Sequence, residues 1–268
     1  MDADLADFAG DVPSHYDHGL GPVLFAPYSR DMAERAKALA PKRVLELAGG
    51  TGLVSRALRD ALPADAALTV TDLSEGMLAV AKRKFGADEN VAFAQADAMA
   101  LAFPDASFDL LVCQFGVMFF PDRRHAFAEA RRVLSADGAY LFSTWGPMAA
   151  NPYSEVAHEV GARFFPNDPP QFYRLPFSCS DPAPIDADAR AGGFRRVEHA
   201  VVRFTQTLDD PGRFARGMVY GNPFIDEIKK RGGVDPEAVV QAVEEGLRAR
   251  LGPSLAMPLQ ALVFLARP

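Results

Sequence analysis

Residues 44–58 read VLELAGGTGLVSRAL, which predicts a strand, a glycine turn and a helix in direct succession. The first four residues form a short apolar run typical of a buried strand, and Leu53, Ala57 and Leu58 recur at helical spacing. The small residues at positions 48–52 let a ligand approach the backbone, and the N-terminus of the helix offers unpaired N–H groups. Because open α/β sheets bind ligands where such a strand ends, we expect a polar or anionic ligand at this turn. A turn that serves only tight packing is the alternative.

The alternation of strands and helices continues outward from this turn, from about residue 41 to residue 145. Ser74 and Asp122 have side chains suited to N-cap positions, so each is predicted to begin a helix. Repeated strand–helix units are joined by right-handed crossovers, which give a parallel sheet with helices on both faces. The later predicted strands cover residues 67–71, 91–95, 108–113 and 139–144, with a turn at residues 136–138 before the last of them.

The pattern changes after residue 145. Eight prolines between residues 146 and 190 favour an irregular cap with short helical pieces over another strand–helix unit. Two further strands are predicted over residues 194–205 and 259–266, and Pro236, near a first turn, indicates a helix over residues 235–251. No linker separates two independent units, so we expect a single domain. It spans residues 1–268, with cap elements from residues 1–30, 146–190 and 206–255.

The composition bounds the class of protein and its surroundings. The formal net charge of −7 supplies no global field that would attract nucleic acid, so nucleic acid is not an expected partner. The two cysteines, Cys113 and Cys179, cannot form a disulfide framework, which favours a reducing compartment. The N-terminus lacks an export signal, and the longest apolar stretch, residues 108–120, is too short to span a bilayer. We therefore expect a cytoplasmic protein without membrane insertion, and no spacing of side chains predicts a metal site.

The glycine turn departs from the dinucleotide fingerprint. A GxGxxG pattern that starts at Gly50 continues with Gly52 but then has Ser55, where the fingerprint requires glycine or alanine. The pattern acid-x-G-x-G-x-G fits better, because Glu46, Gly50 and Gly52 match it and Ala48 stands at the first glycine. This pattern resembles motif I of the class I S-adenosylmethionine (SAM)-dependent methyltransferases, in the type 11 group that includes the ubiquinone and menaquinone C-methyltransferases.

Later segments strengthen the resemblance. Asp72 follows the second predicted strand, where a carboxylate can accept hydrogen bonds from both hydroxyls of a ribose. Residues 97–98 follow the third strand, where the resemblance places an aspartate on the adenine amino group. Residues 108–114 resemble motif IV, which lies beneath the cofactor, and residues 132–138 resemble the turn before strand five. The order and spacing of these segments are more specific than any one of them.

The resemblance implies a Rossmann-like α/β fold with a seven-stranded, mostly parallel sheet, an antiparallel edge, helices on both faces and a small helical cap. It also implies transfer of a methyl group from SAM to a small-molecule acceptor, with S-adenosylhomocysteine (SAH) as the product. In similar enzymes a tyrosine before the first core helix covers the methionine end of the cofactor. The cofactor site implied in this way comprises Tyr16, Arg30, Glu46, Ala48, Gly49, Gly50, Gly52, Asp72, Leu73, Met77, Asp97, Ala98, Gln114 and Phe115.

Some of these assignments compete with structural roles. Arg30 is a candidate partner of the methionine carboxylate, but for Tyr16 and Arg30 a surface role is the alternative. For Met77 and Phe115 the alternative is ordinary core packing. The segment before Asp31 carries too many apolar groups for a solvated tail, so we expect it to cover the ligand crevice.

No catalytic residue is predicted, because a sulfonium is already a reactive methyl donor and the enzyme contributes mainly positioning and the exclusion of water. A general base is needed only if the acceptor must lose a proton. Aromatic residues in the cap favour an apolar or aromatic acceptor. Two alternatives remain open, namely an NAD(P)-dependent oxidoreductase on the same fold and a non-catalytic SAM-binding or regulatory protein.

Overall fold

A seven-stranded sheet forms the centre of the computed structural model, which describes residues 10–268. The strands lie in the order β3-β2-β1-β4-β5-β7-β6. Strands β1 to β5 are parallel, whereas β7 runs antiparallel to both β5 and β6. This arrangement confirms the predicted fold class. The strands are β1 (Arg43–Glu46), β2 (Ala67–Asp72), β3 (Val91–Gln95), β4 (Phe108–Gln114), β5 (Leu134–Trp145), β6 (Arg196–Thr207) and β7 (Ala256–Arg267).

Helices connect the strands, and several begin where the sequence predicts. The side chains of Ser74, Asp122 and Asp235 each accept a hydrogen bond from a backbone N–H in the first turn of the helix that follows, as N-cap residues do. The helices are α1 (Val12–His15), a π-helix (Tyr16–Phe25), α2 (Ala26–Ala38), α3 (Leu53–Ala61), α4 (Glu75–Lys82), α5 (Arg123–Val133), α6 (Pro152–Phe164), α7 (Pro182–Ala191), α8 (Pro211–Tyr220), α9 (Phe224–Arg231) and α10 (Pro236–Leu251). None of these helices is long and apolar enough to cross a membrane.

The hydrophobic core lies on both faces of the sheet. Val44 and Leu110 belong to one buried cluster together with Leu58 of α3. Leu45, the neighbour of Val44 along β1, belongs to a second cluster together with Phe127 of α5. Alternate residues of a strand point to opposite faces, so β1, in which the adjacent residues Val44 and Leu45 are both buried, requires cover on both sides.

The predicted turn at residues 136–138 is wrong. Strand β5 begins at Leu134, directly after α5, and its pairing with β4 jumps from Phe108–Leu134 to Leu110–Ala139. The intervening residues 135–138 are therefore a bulge within the strand. At Gly138 a Cβ would lie 2.7 Å from the Leu134 side chain, so only glycine fits this crowded position.

The segment at residues 146–190 is more helical than the prolines in its sequence suggest. It contains α6 and α7, which are regular helices of 13 and 10 residues. Pro152 and Pro182 do not interrupt these helices, because they occupy first-turn positions, where proline costs no hydrogen bond. The predicted face of α3 also differs slightly, because Val54 and Leu58 are its buried apolar residues while Leu53 and Ala57 are half-buried.

The π-helix Tyr16–Phe25, which we call the leader helix, lies against α8 and α4. Its Gly19 backbone touches that of Gly217 in α8, since a Cβ at Gly217 would lie 2.8 Å from the Gly19 Cα. Lys84, which follows α4, forms an ion pair with Asp17 of the leader helix. Of the cap element predicted at residues 1–30, residues 1–9 lie outside the described residues.

The contact between the leader helix and α8 generates a stability prediction. Gly217→Ala places a Cβ against rigid backbone, so overpacking should lower the free energy of unfolding by about 1–2 kcal/mol, after the gain in helix propensity is subtracted. Hydrogen exchange in residues 12–28 should become faster. Gly212→Ala in the same helix is the control, because the atoms nearest to its Cβ belong to the carboxylates of Glu244 and Asp210 and not to backbone. Equal exchange in the two variants would contradict this account of the contact.

Candidate functional site

The glycine turn after β1 is an alternation of left-handed backbone conformations. The φ angles of Ala48, Gly50 and Gly52 are 51°, 57° and 83°. Ala48 is strained in this conformation by about 1 kcal/mol, because its Cβ crowds the backbone. At Gly52 a Cβ would lie 2.8 Å from the Ala81 side chain, so this glycine lets α3 pack on α4. A Cβ at Gly50 would have no atom of the described residues within 4 Å, so the backbone of this glycine faces space that residues 10–268 leave open.

The Asp72 carboxylate lies beside the turn, as the sequence predicts. Its Oδ2 accepts the Gly50 N–H at 2.8 Å and its Oδ1 accepts the Ser74 N–H at 2.8 Å. Burial raises the pKa of Asp72, although the hydrogen bonds from Ser74 and Gly50 oppose the rise. A carboxylate oxygen has two lone pairs, so each oxygen can accept one further hydrogen bond. Asp72 therefore joins β2 to the turn and still has lone pairs that can accept hydrogen bonds from a ligand.

Glu46 ends β1 beneath the turn and is 1% exposed. Burial raises the pKa of its carboxyl to about 8, and the negative charge of the Asp72 carboxylate adds to this rise. The nearby Ser55 opposes the rise, although it forms no hydrogen bond of regular geometry with Glu46. Glu46 Oε2, Thr51 Oγ1 and Ser55 Oγ have no hydrogen-bond partner among the residues that the structure describes. Three buried polar atoms without partners are costly, and they mark a place where a polar ligand or its solvent would be satisfied.

Residues predicted at the adenosine end lie after β2 and β3. Leu73 has a side chain 59% exposed, although it is large and apolar, while Met77 on α4 is buried. Asp97 Oδ1 accepts the Met99 N–H at 2.8 Å, and Ala98 is half-buried. The carboxyl ends of parallel strands share one edge of the sheet, so these residues and the glycine turn share that edge.

Tyr16 of the leader helix lies near Asp72. Burial raises the pKa of its phenol, and the Asp72 and Asp17 carboxylates raise it further. Its ring stacks on Phe25 with centroids 4.8 Å apart and an interplanar angle of 17°. The leader helix therefore brings Tyr16 to the turn, whereas Arg30 is exposed on α2 and has no hydrogen bond to the turn in the described part of the chain.

Three aromatic side chains that sequence reasoning missed form a wall next to the turn, together with Phe115, which the sequence predicted for the site. The ring of Phe115 stacks on that of Trp145 with centroids 3.9 Å apart and an interplanar angle of 3°. The backbone of Phe115 is left-handed, with a φ of 54°. Phe25 and Tyr28 contact both rings. We call Phe25, Tyr28, Phe115 and Trp145 the aromatic wall. One signal was present, because Trp145 directly follows a predicted strand at its ligand-binding end.

Comparison with known proteins gives the family. A family model described as "Methyltransferase domain" matches residues 44–138. The demethylmenaquinone methyltransferase of Clavibacter sepedonicus is 31% identical over 176 residues, which cover 61% of this chain and 71% of that protein. The chain belongs to the class I SAM-dependent methyltransferase family. The family model thus includes the turn, Asp72 and Asp97 of this chain but neither the leader helix nor the aromatic residue Trp145.

Other relatives match shorter parts of the chain. The demethylmenaquinone methyltransferase of Deinococcus radiodurans is 35% identical over 48% of this chain and 54% of its own length. The malonyl-[acyl-carrier protein] O-methyltransferase of Geobacter sulfurreducens is 38% identical over 41% of each chain. The chain therefore spans about half the length of these two curated relatives.

Solved structures share the fold over most of the chain. Phosphoethanolamine N-methyltransferase 2 of Haemonchus contortus, in complex with S-adenosyl-L-methionine, has a TM-score of 0.60 at 16% identity and covers all of this chain and 60% of its own. The YcgJ protein of Bacillus subtilis has a TM-score of 0.56 at 22% identity, with 90% and 99% covered. At these identities the likeness shows the fold alone.

The raised pKa of Glu46 predicts how stability depends on pH. An unfolded glutamate titrates at 4.5 and the folded one at about 8, so between these values the folded protein binds one more proton than the unfolded chain. The free energy of unfolding should therefore fall as pH rises through this range, by at most about 1.4 kcal/mol per pH unit. Glu46→Gln should remove that part of the slope and be more stable than the native protein above pH 8. Chemical denaturation at several pH values measures both.

The control for this measurement is Glu34→Gln, a substitution at an exposed position of α2. It should leave the pH dependence of stability unchanged. Parallel curves for the native protein and Glu46→Gln would show that Glu46 is ionised in the folded state.

Proposed function

We propose that this protein transfers a methyl group from SAM to a small-molecule acceptor and releases SAH. One observation carries the proposal, namely the hydrogen-bonded pair of Gly50 and Asp72 at the carboxyl edge of the sheet. Gly50 presents open backbone in a left-handed conformation, and its N–H binds the Asp72 carboxylate. A nucleoside needs both features together, since its sugar hydroxyls require an acceptor and its bulk requires backbone without side chains.

The residues around this pair fit SAM. The remaining lone pairs of Asp72 suit two ribose hydroxyls. Leu73, exposed and apolar, and Met77 suit the faces of an adenine ring, and the free acceptor positions of Asp97 suit its amino group. The unpartnered oxygens of Glu46 and Thr51 suit the charged methionine end. We assign Tyr16, Ala48, Gly49, Gly52, Ala98 and Phe115 to the same site. Arg30, which is exposed on α2, and Gln114, whose amide is bonded to Ser29 and to the Phe25 carbonyl, are not assigned to the cofactor.

When bound, SAM supplies a sulfonium that carries an electrophilic methyl group. The chain positions the two reactants and excludes water from them. The leader helix brings Tyr16 over the Asp72 side of the turn, and the aromatic wall excludes water next to it. Holding the acceptor in line with the methyl group converts a bimolecular reaction into an effectively unimolecular one, and this positioning is the main contribution to the rate that the site must make.

The acceptor that suits the aromatic wall is a small apolar or aromatic molecule. The rings of Phe115 and Trp145 are parallel and buried, and planar groups pack well against such surfaces. Two of the curated relatives act, by their names, on demethylmenaquinone, which is consistent with an acceptor of this kind. We place the protein in the cytoplasm, because its two cysteines are free and buried.

Isothermal titration calorimetry with SAM, SAH, NAD⁺ and NADP⁺ tests this function. We expect binding of SAM and SAH only, followed by a gain of one methyl group in an acceptor screen read by mass spectrometry. Binding of a nicotinamide nucleotide in place of SAM would favour the oxidoreductase alternative. SAM binding without transfer to any acceptor would favour a regulatory protein.

Gly50→Val should abolish SAH binding in the same assay, because the side chain would fill the open space in front of the turn. Gly232→Val is the matched control. Gly232 also has a left-handed φ, 68°, and open space around it, but it lies between α9 and α10. Both variants place a β-branched side chain at a positive φ, and at Gly232, where ψ is −177°, the backbone lies in a region open almost only to glycine. A loss of SAH affinity in Gly50→Val alone therefore reports the site and not general strain. Normal SAH affinity in folded Gly50→Val would make the turn a packing device.

Asp72→Ala should weaken the binding of SAH by about 1–3 kcal/mol, the cost of losing hydrogen bonds to a charged acceptor. Asp109→Ala is its control, because Asp109 also accepts two backbone N–H groups, those of Lys42 and Arg43, at the opposite edge of the sheet. Both variants should lose stability to a similar extent, but only Asp72→Ala should lose affinity. Unchanged affinity in folded Asp72→Ala would remove this carboxylate from the site.

A further inference from the structure

Gln114, the last residue of β4, lies at the junction of the glycine turn and the aromatic wall. The pairing of β1 with β4 places Glu46 beside Val112, two residues before Gln114. A Cβ at Gly116 would lie 2.6 Å from the Ala48 side chain, so the turn lies against the end of β4. The next residue along the chain is Phe115, whose ring stacks on Trp145. Gln114 is therefore the polar side chain that stands between the cofactor residues and the aromatic wall.

Hydrogen bonds fix the orientation of the Gln114 amide. Its Nε2 donates to Ser29 Oγ at 3.2 Å and to the Phe25 carbonyl oxygen at 3.5 Å. The Ser29 hydroxyl hydrogen is already used, because it is donated to the same Phe25 carbonyl at 3.0 Å. Both neighbours are thus acceptors, and only the NH₂ group of the amide can face them. The Oε1 oxygen therefore points away from Ser29 and from the Phe25 carbonyl.

This oxygen is buried and has no hydrogen-bond partner within residues 10–268. Leaving a buried amide oxygen without a donor costs about 1–3 kcal/mol, so the arrangement needs a reason. The turn and the strand ends already offer Glu46, Asp72 and Thr51 to the polar groups of a nucleoside and its charged tail. Gln114 Oε1 is the corresponding acceptor on the side of the aromatic wall.

We propose that Gln114 Oε1 receives a hydrogen bond from the very atom that is methylated, so that the acceptor carries an O–H or N–H group at that atom. This inference rests on the proposed function and deepens it. An amide oxygen accepts a hydrogen bond but does not take up the proton, so Gln114 orients the nucleophile and is not a base. A carbon nucleophile without a polar hydrogen gains nothing from it.

The chemistry balances without a side-chain base. The lone pair of the acceptor's oxygen or nitrogen forms the new bond to the methyl carbon, while the electron pair of the broken carbon–sulfur bond stays on sulfur. The hydrogen held by Gln114 Oε1 becomes acidic as positive charge develops on the heteroatom, and it leaves to water as a proton. The hydrogen bond occupies the hydrogen of the nucleophile, so its lone pair remains free to face the methyl group.

A set of three naphthalene probes tests the inference by calorimetry on the full chain saturated with SAH. 2-Naphthol and 2-naphthylamine carry a hydrogen-bond donor, and 2-methoxynaphthalene has the same ring without one. The native protein should prefer the two donors by about tenfold, the value of one buried hydrogen bond. Gln114→Met, similar in size and without a polar oxygen, should lose this preference and keep its affinity for SAH. Gln241→Met, the same change at an exposed position of α10, should change neither.

Gln114→Asn is the second variant, which keeps an amide with both its NH₂ donor and its acceptor oxygen and should retain part of the preference for the donor probes even if Gln114→Met fails to fold. The inference is overturned if the native protein does not distinguish the donors from the ether. It is also overturned if Gln114→Met keeps the preference for the donor probes. A loss of SAH affinity in Gln114→Met as large as its loss of affinity for the donor probes would overturn it too, because Gln114 would then bind the cofactor. Failure of the native protein to bind SAH would instead overturn the proposed function, so the two results are distinguishable.

Discussion

The hydrogen bond from the Gly50 N–H to the Asp72 carboxylate joins the first two strands of the sheet at their carboxyl ends. It holds the turn in a conformation in which one glycine faces open space, and it holds the carboxylate in a place where two lone pairs remain free. The Ser74 N–H, which begins α4, binds the other carboxylate oxygen. One side chain thus sets the relative positions of the turn, β2 and α4, and the site could not keep its shape without it.

Beneath this pair the molecule tolerates a concentration of unfavourable groups. Glu46 is buried with a raised pKa, Ala48 has a left-handed backbone, and Thr51 and Ser55 have hydroxyls without partners among the described residues. Groups of this kind persist when the surrounding packing determines their positions, and they cluster where a ligand relieves the cost. The opposite edge of the sheet shows the contrast, because there Asp109 is fully engaged with the Arg43 guanidinium and two backbone N–H groups.

The cofactor side of the site could be predicted because its residues follow local rules. A glycine turn after a strand, an acid after the next strand and N-cap residues such as Ser74 are each legible within a few residues of sequence. The aromatic wall could not be predicted, because Phe25, Tyr28 and Trp145 come from elements far apart in the chain and meet only in the folded sheet. The π-helical form of the leader helix was also not legible, and its Gly19 packs on α8, which lies far away in the chain. The orphaned oxygen of Gln114 is likewise a property of packing and not of sequence.

The far edge of the sheet, strand β6, has a consequence for how the protein behaves in concentrated solution. Twelve residues long and paired on one side only, β6 presents a row of backbone groups to which another chain could add a strand. Along it stand the charged side chains of Arg196, Glu198 and Arg203, all exposed. A strand added there would bring a foreign chain against these charges and strip part of their hydration, so the growth of the sheet beyond the molecule is discouraged. The edge thereby protects the protein from aggregation through its longest exposed strand.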